Sequence, residues 1–402
     1  RGGASSTKDR ESQQASKAKN KGQKKKPPGE KVAELRGEFA VGPSEKFKTI
    51  AAVLAELKSY KNNKSRNAVQ IVKVAAGQTF AERIVIDDSY PRGIQFVAEP
   101  GPPPVLAPSG SDPIVSLRSA NGKIENFHLE GFRLDASGKD VAVELSEWMP
   151  GARLKRLEIT GFGKTGVHFH GAQTYGKEDE RIILEAAVFR GAAPSAVGVR
   201  ISRKNEDSEF IRINQCRFFG PLDCGVLLEA NARGIEISES VFADTVTGVK
   251  FLGEDRAWRD ILIGADTFYQ NDWAIVFTNM PSARSTDLQF HNNLFVNSKT
   301  ADAVVEKDYK PADFFLMYRS FPGGSSYNWT TRPPSDPPKP EELVTLFETL
   351  DGKRNAGDLQ FLSTDPASPD YLAPTPTAPQ RQRGTVLDQK RFGAQIGAVR
   401  PK

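Results

Sequence analysis

The sequence predicts an all-β solenoid of about ten stacked coils with one short helix at its N-terminal end. Three observations carry this. The apolar runs between 69 and 117 are short and bounded by Gly, Pro, Asp or Ser. From 124 onward a single phrase recurs every two dozen or so residues: an alternating apolar pair, a closing Leu or Phe, a polar break, and a second alternating pair. No helical periodicity lies between the repeats, so crossover helices have no room.

Taken in order, residues 1–46 are rich in Lys, Ser and Gln, lack periodicity and read as a disordered basic linker. Residues 1–31 hold ten Lys/Arg and three Asp/Glu, which leaves a net −2 for residues 32–402 against +5 for the chain. The basic balance therefore belongs to the leader. No aromatic residues interleave with its lysines as a stacking surface for nucleic acid requires, so no nucleic-acid partner is expected. No run approaches the ~18 apolar residues of a membrane span. A chain opening on Arg1 reads as a fragment or a processed form, compatible with a membrane tether upstream of Arg1. A monomer is expected.

Ile50, Val53, Leu54 and Leu57 fall at i, i+3, i+4 and i+7, one face of an amphipathic helix over 49–60. The runs 69–74, 83–86, 93–97 and 114–117 then read as strands with turns. In the repeats the closing residues are Leu134, Phe162, Phe189, Phe218, Phe242, Phe268 and Phe295, spaced 28, 27, 29, 24, 26 and 27 apart. Ahead of them stand pairs such as Ile182/Leu184 and Ile211/Ile213; behind them stand Val141/Val143, Val167/Phe169, Val199/Ile201 and Val226/Leu228. One coil alone would expose its inward row, whereas stacking at the ~4.8 Å strand spacing buries the rows as ladders. Gly166, Gly198, Gly225 and Gly248 precede the second strand, where a Cβ would crowd a tight corner.

These residues resemble a known family, the pectin-lyase-like right-handed single-stranded parallel β-helix proteins. A-A-G-Q-T-F-A-E-R-I-V-I (75–86) is similar to their opening coil, and S-P-D-Y-L-A-P (368–374) with I-G-A-V (396–399) is similar to their C-terminal strip. The resemblance covers roughly 47–400 and implies that the 49–60 helix caps the solenoid. A basic leader before a β-helix also resembles the sensor regions of membrane-anchored bacterial Ser/Thr kinases, although no H-R-D, D-F-G or V-A-I-K motif is present. The organisation expected is a linker (1–46), a β-helix (47–330), and a Pro-rich spacer, short helix and extended strip packed back on the solenoid (331–402).

Few motifs carry chemistry. G-F-G-K-T-G (161–166) imitates a phosphate loop, but a strand follows it and Glu158 stands where Walker A needs Gly, so it is a turn. Cys216 and Cys224 are too few for a disulfide framework; buried small hydrophobes are the default, with one cross-turn disulfide left open. In V-H-F-H, His168 and His170 point outward, in a column with Glu144, Arg200 and Lys250. Two outward histidines at i, i+2 could hold a metal with Glu144 as third ligand; a surface charge lattice is the plainer reading, and no metal is assigned. Calcium has no supporting motif.

On the first sheet the expected outward column is Glu130, Glu158, Glu185, with His128, Arg156 and Arg212 in the next. Stacked carboxylates raise one another's pKa, and a pair ~5 Å apart would match a retaining glycosidase; Arg156 and Arg212 suit an acidic sugar's carboxylate. Trp148, Trp258 and Trp273 offer either core packing or a glycan platform. No catalytic signature of the polygalacturonases, pectate lyases or pectin methylesterases is found. The function expected is thus a non-catalytic carbohydrate-binding, sensor or scaffold module. It reads a polysaccharide or cell-envelope glycan outside the cytoplasm through Arg156, Arg212, His128, His168, Glu144 and Trp148. The alternatives are a divergent lyase or glycoside hydrolase on Glu130, Glu158 and Glu185, or a purely structural repeat protein.

Overall fold

The computed structural model describes residues 37–60, 69–120, 122–318, 327–333, 339, 341–347, 355–368, 370–378 and 397. Three parallel sheets run along the molecule, and each coil contributes one strand to each. Sheet A runs from Gly37–Val41 to Thr286–His291, sheet B from Thr79–Phe80 to Trp329–Thr330, and sheet C from Ile84–Asp87 to Ala301–Val305. The chain is a parallel β-helix. Sheet C has nine strands, so the solenoid makes about nine turns where the sequence predicts ten.

The helix forms at Ile50–Ser59 and buries Ile50, Val53, Leu54 and Leu57. Thr49 Oγ1 caps it by accepting from the Ala52 N–H at 3.1 Å, and Glu82 accepts from the Ile50 N–H at 2.6 Å. Lying on the first coil, it covers an end that would otherwise offer bare apolar residues to water. The expected boundary at 46/47 is corrected. Gly37–Val41 is already a strand, paired in register with Gln70–Val74. Its alternating Phe39 and Val41 complete the first rung, and a solvated linker would leave them in water. Residues 1–36 of the expected linker lie outside the described residues.

The recurring phrase is a steric unit. Phe189, Phe218, Phe242, Phe268 and Phe295 stack with ring centroids 4.7, 4.7, 4.9 and 5.1 Å apart, close to the strand spacing itself. Each of the first four rings occupies the space beside the glycine of the coil before it; before Phe295 the place is taken by Ala274. A Cβ on Gly225 would stand 2.4 Å from Phe242 Cδ1, and one on Gly248 would stand 2.5 Å from Phe268 Cδ1. Ring and missing side chain therefore belong together.

One coil is out of the expected register. Ile159, not Phe162, lies between Leu134 and Phe189 in sheet B. Leu154, not Leu157, stands in the sheet A ladder with Leu129 and Leu184. Likewise Val143 and Leu145 pair with Val167 and Phe169, one step beyond the expected Val141/Val143. Phe162 is still fully buried, which is why it imitates the anchor.

Both cysteines are buried free thiols, so the open disulfide does not form; burial pushes the Cys216 thiol up to about 12. Of the 331–402 segment, a 3₁₀ turn at Val344–Phe347 sets Phe347 edge-on to Phe295 at 5.1 Å. Tyr371 and Leu372 lie over Phe219, Val241 and Ala243 on the outside of sheet B. Most of the Pro-rich spacer lies outside the described residues.

Candidate functional site

The glutamate ladder expected on sheet A does not exist. Lys155, not Glu158, stands between Glu130 and Glu185. Its Nζ is 2.7 Å from Glu185, and Arg156 reaches Glu130 at 2.7 Å. Glu158 belongs to sheet B, between Arg133 and Val188. The cause is the same three-residue slip: the turn at Arg156–Leu157 separates two strands where the sequence pattern reads one. Alternating charge along the ladder removes the mutual repulsion of stacked carboxylates, and with it the argument for a raised pKa.

Other residues predicted for this face are committed to ion pairs. Arg153, not Arg156, lies between His128 and Ile183; Arg156 sits in the turn with φ 49°. Arg212 is mostly buried, binds Glu236 at 2.9 Å and also pairs with Glu178. Burial raises the Glu178 carboxyl, but bonds and charge from Arg212 and Arg181 outweigh it and leave the pKa low. His128 is lowered to about 4, first by burial and then by Arg153 and Lys155.

Sheet C keeps its predicted outward column and adds to it. Glu144, His168 and Arg200 are direct neighbours on successive coils, followed by Leu227 and Lys250. Beside them run Arg118, Ser146, His170 and Ser202. The His168 and His170 rings stack with centroids 4.8 Å apart. Glu144 divides its oxygens: Oε2 takes Arg118 Nε at 3.1 Å, while Oε1 lies 3.7 Å from His170 Nδ1. Burial raises Glu144, yet the Arg118 bonds and charge leave it lowered overall. His168, 2.7 Å from Ser202 Oγ, is lowered to about 4 by burial, then by His170 and Arg200, with Glu144 opposing. At neutral pH this cluster thus presents a carboxylate and, at His168, an uncharged imidazole. Arg200 is occupied by Glu229 at 2.8 Å.

The strands holding this cluster end at an aromatic corner. Trp148 is the last residue of Val141–Trp148, and a register shift just before it, with Glu147 at φ 73°, re-aims its side chain. Its ring meets Tyr175 of the next coil at 5.0 Å and 37°. Lys123 Nζ sits 4.3 Å from the Tyr175 ring centre, a cation–π contact. Tyr175, 43% exposed, opens onto a cleft of about 360 Å³ with Lys123, Glu125, Asn126, Lys177 and Glu180. The sequence singles out Trp148 but not Tyr175, Lys123 or Lys177, which lie in connections without a repeat pattern. Trp258 is fully buried against Phe251 and Phe277 and serves the core.

The fold and this strip define a parallel β-helix protein with a polar, aromatic-edged outer face. No family profile matches the chain and no curated protein matches it. Among solved structures it is similar to a rhamnogalacturonan lyase, at 12% identity and a TM-score of 0.43, covering 90% of this chain and 99% of that one. It is also similar to a pectate lyase, at 12% identity and a TM-score of 0.40, covering 92% and 98%. An alginate lyase from Paenibacillus sp. shares 15% identity at a TM-score of 0.37, covering 69% and 92%. No property of those proteins transfers at this level of similarity.

Proposed function

We propose that the protein binds an extended polysaccharide without cleaving it, as a carbohydrate-binding, sensor or scaffold module acting outside the cytoplasm on a cell-envelope glycan. The observation that carries this reading is Tyr175, in ring contact with Trp148, on a cleft also lined by Lys123, Lys177, Glu125 and Asn126. The C–H face of a pyranose ring packs on the negative face of an aromatic ring, and convergent polar groups around an apolar platform are what orients a small ligand. The strip continues from Trp148 back along the same strand to Glu144, about 13 Å at ~3.3 Å per residue. That length accommodates more than one sugar. Lys123 and Lys177 favour a polymer carrying carboxylates.

The rival reading, a lyase or glycosidase on Glu130, Glu158 and Glu185, loses its carboxylate ladder to Lys155. A purely structural role predicts no bound glycan. Affinity electrophoresis through gels containing acidic and neutral polysaccharides separates the three. Retardation with no reducing ends or unsaturated product released supports binding, and Trp148→Ala should weaken retention by about tenfold or more. Product release that Glu158→Gln abolishes would favour the enzyme; an unretarded chain in every gel removes the proposal.

A further inference from the structure

We propose that Glu144, His168 and His170 form a binding site for one zinc ion, or a chemically similar first-row divalent ion, on the outer face of sheet C. Their ligand atoms all lie within 4.8 Å of one another, and each residue is half-buried. The arrangement follows from the fold: i, i+2 spacing on one strand puts two imidazoles on one face, and the neighbouring coil supplies a carboxylate beside them.

Two nitrogens and one oxygen suit zinc, whereas calcium and magnesium take oxygen ligands throughout. Tetrahedral bonds of ~2.0–2.1 Å put donors about 3.3 Å apart, so these donors must close by about 1.5 Å, a rotation of side chains on a fixed backbone. The surroundings favour that closure. Arg118 holds Oε2 of Glu144 and leaves Oε1 towards His170. Ser202 Oγ, 2.7 Å from His168 Nε2, holds the ring in place through one nitrogen. Arg200 is matched by a separate carboxylate, Glu229, whereas Arg118 shares Glu144 with the site through the other carboxylate oxygen. Three protein donors leave a fourth position open to solvent, the pattern of a site that takes a water or a ligand oxygen. Both cysteines are buried and do not compete for the metal. The assignment stands on these donors and is independent of the glycan reading.

The full chain, free of any histidine tag and stripped with a chelator, is titrated with zinc chloride by calorimetry. One equivalent should bind, with no competition from calcium or magnesium. His168→Ala and His170→Ala should each weaken binding by more than about tenfold, since even partners behind the ligands are worth 10–100-fold. His128→Ala, whose ring lies on sheet A, should bind as the parent does. Zinc-edge absorption of the unmutated, loaded chain needs no variant to fold and should show two imidazole nitrogens. Absence of saturable binding, unchanged binding in the His168→Ala/His170→Ala double variant, or an all-oxygen shell would each overturn the site.

Discussion

In the coils up to about residue 190, the inner corner between sheets A and B is filled by Phe132, Leu157 and Ala187; in those beyond, the same position holds Cys216, Ser240, Asp266, Asn293 and Asn328. The later residues bond up the stack. The Ser240 N–H donates to Asp266 at 2.7 Å, the Asp266 N–H to Asn293 at 3.0 Å, and the Asn293 N–H to Asn328 at 2.9 Å. The outside changes in the opposite sense. Sheet B shows Arg133, Glu158 and Asp135 early, but Phe219, Val241 and Ala243 later, under Tyr371 and Leu372. The early half is apolar within and charged without. The later half buries hydrogen bonds within and hides apolar surface beneath the C-terminal segment. The cleft and the Glu144–His168–His170 cluster proposed above both lie on the early coils, where the described residues of the C-terminal segment do not cover the exterior.

The largest expected effect comes from the later half. Phe242→Ala removes a ring stacked on both sides and should cost about 3–5 kcal/mol in denaturant unfolding. A loss no larger than that of Ile159→Val, about 0.5–1.5 kcal/mol, would mean the two halves pack equally loosely. Next, Gly225→Ala drives a methyl into the Phe242 ring and should cost about 1–3 kcal/mol. Pairing it with Phe242→Leu should recover part of that loss if the two form one unit, and a double-mutant cycle reads the coupling.

The halves should also respond to acid with opposite signs. Burial pushes the Asp266 carboxyl well above its ordinary value. A raised folded pKa means stability fully present below the unfolded pKa of ~3.8 and lost as pH rises. Asp266→Asn removes the ionisable group and can donate as Asn293 does to the Ile263 carbonyl at 2.9 Å. It should stabilise by on the order of 1–3 kcal/mol at pH 7, with little gain near pH 3. An equal gain at both pH values would sink the ionisation argument. His128 behaves conversely: its folded pKa of about 4 lies below its ordinary value, so stability present above ~6.5 is lost as pH falls towards 4. His128→Gln should flatten that decline, by under about 1 kcal/mol once solvent screening of a partly exposed ring is allowed for. Thermal melts between pH 4 and 7 check it.

The fold is legible because stacking forces a period onto the apolar residues, and a period survives single misreadings. Register is more fragile. Phe162 is buried and aromatic, so one coil reads three residues out of step and Glu158 is assigned to the wrong sheet. The Glu144–His168 contact is legible because both sit on regular strands in corresponding positions. The polar corner is not, since Cys, Ser, Asp and Asn share a place but no residue type, and only the bonds between coils reveal their equivalence. Tyr175 and Lys123 lie in connections whose length varies from coil to coil, where position in the chain does not fix position in space.

A solenoid ordinarily frays from its end, one rung at a time, because each rung touches only its neighbours. The C-terminal segment changes that here. Tyr371 and Leu372 touch Phe219, Val241 and Ala243, and Tyr371 meets the ring of Tyr269, so one stretch of chain is fastened to three successive rungs. Those rungs cannot peel away singly while it stays in place. Under load or heat they should let go together, as a clasp does, leaving the earlier coils intact until it has opened.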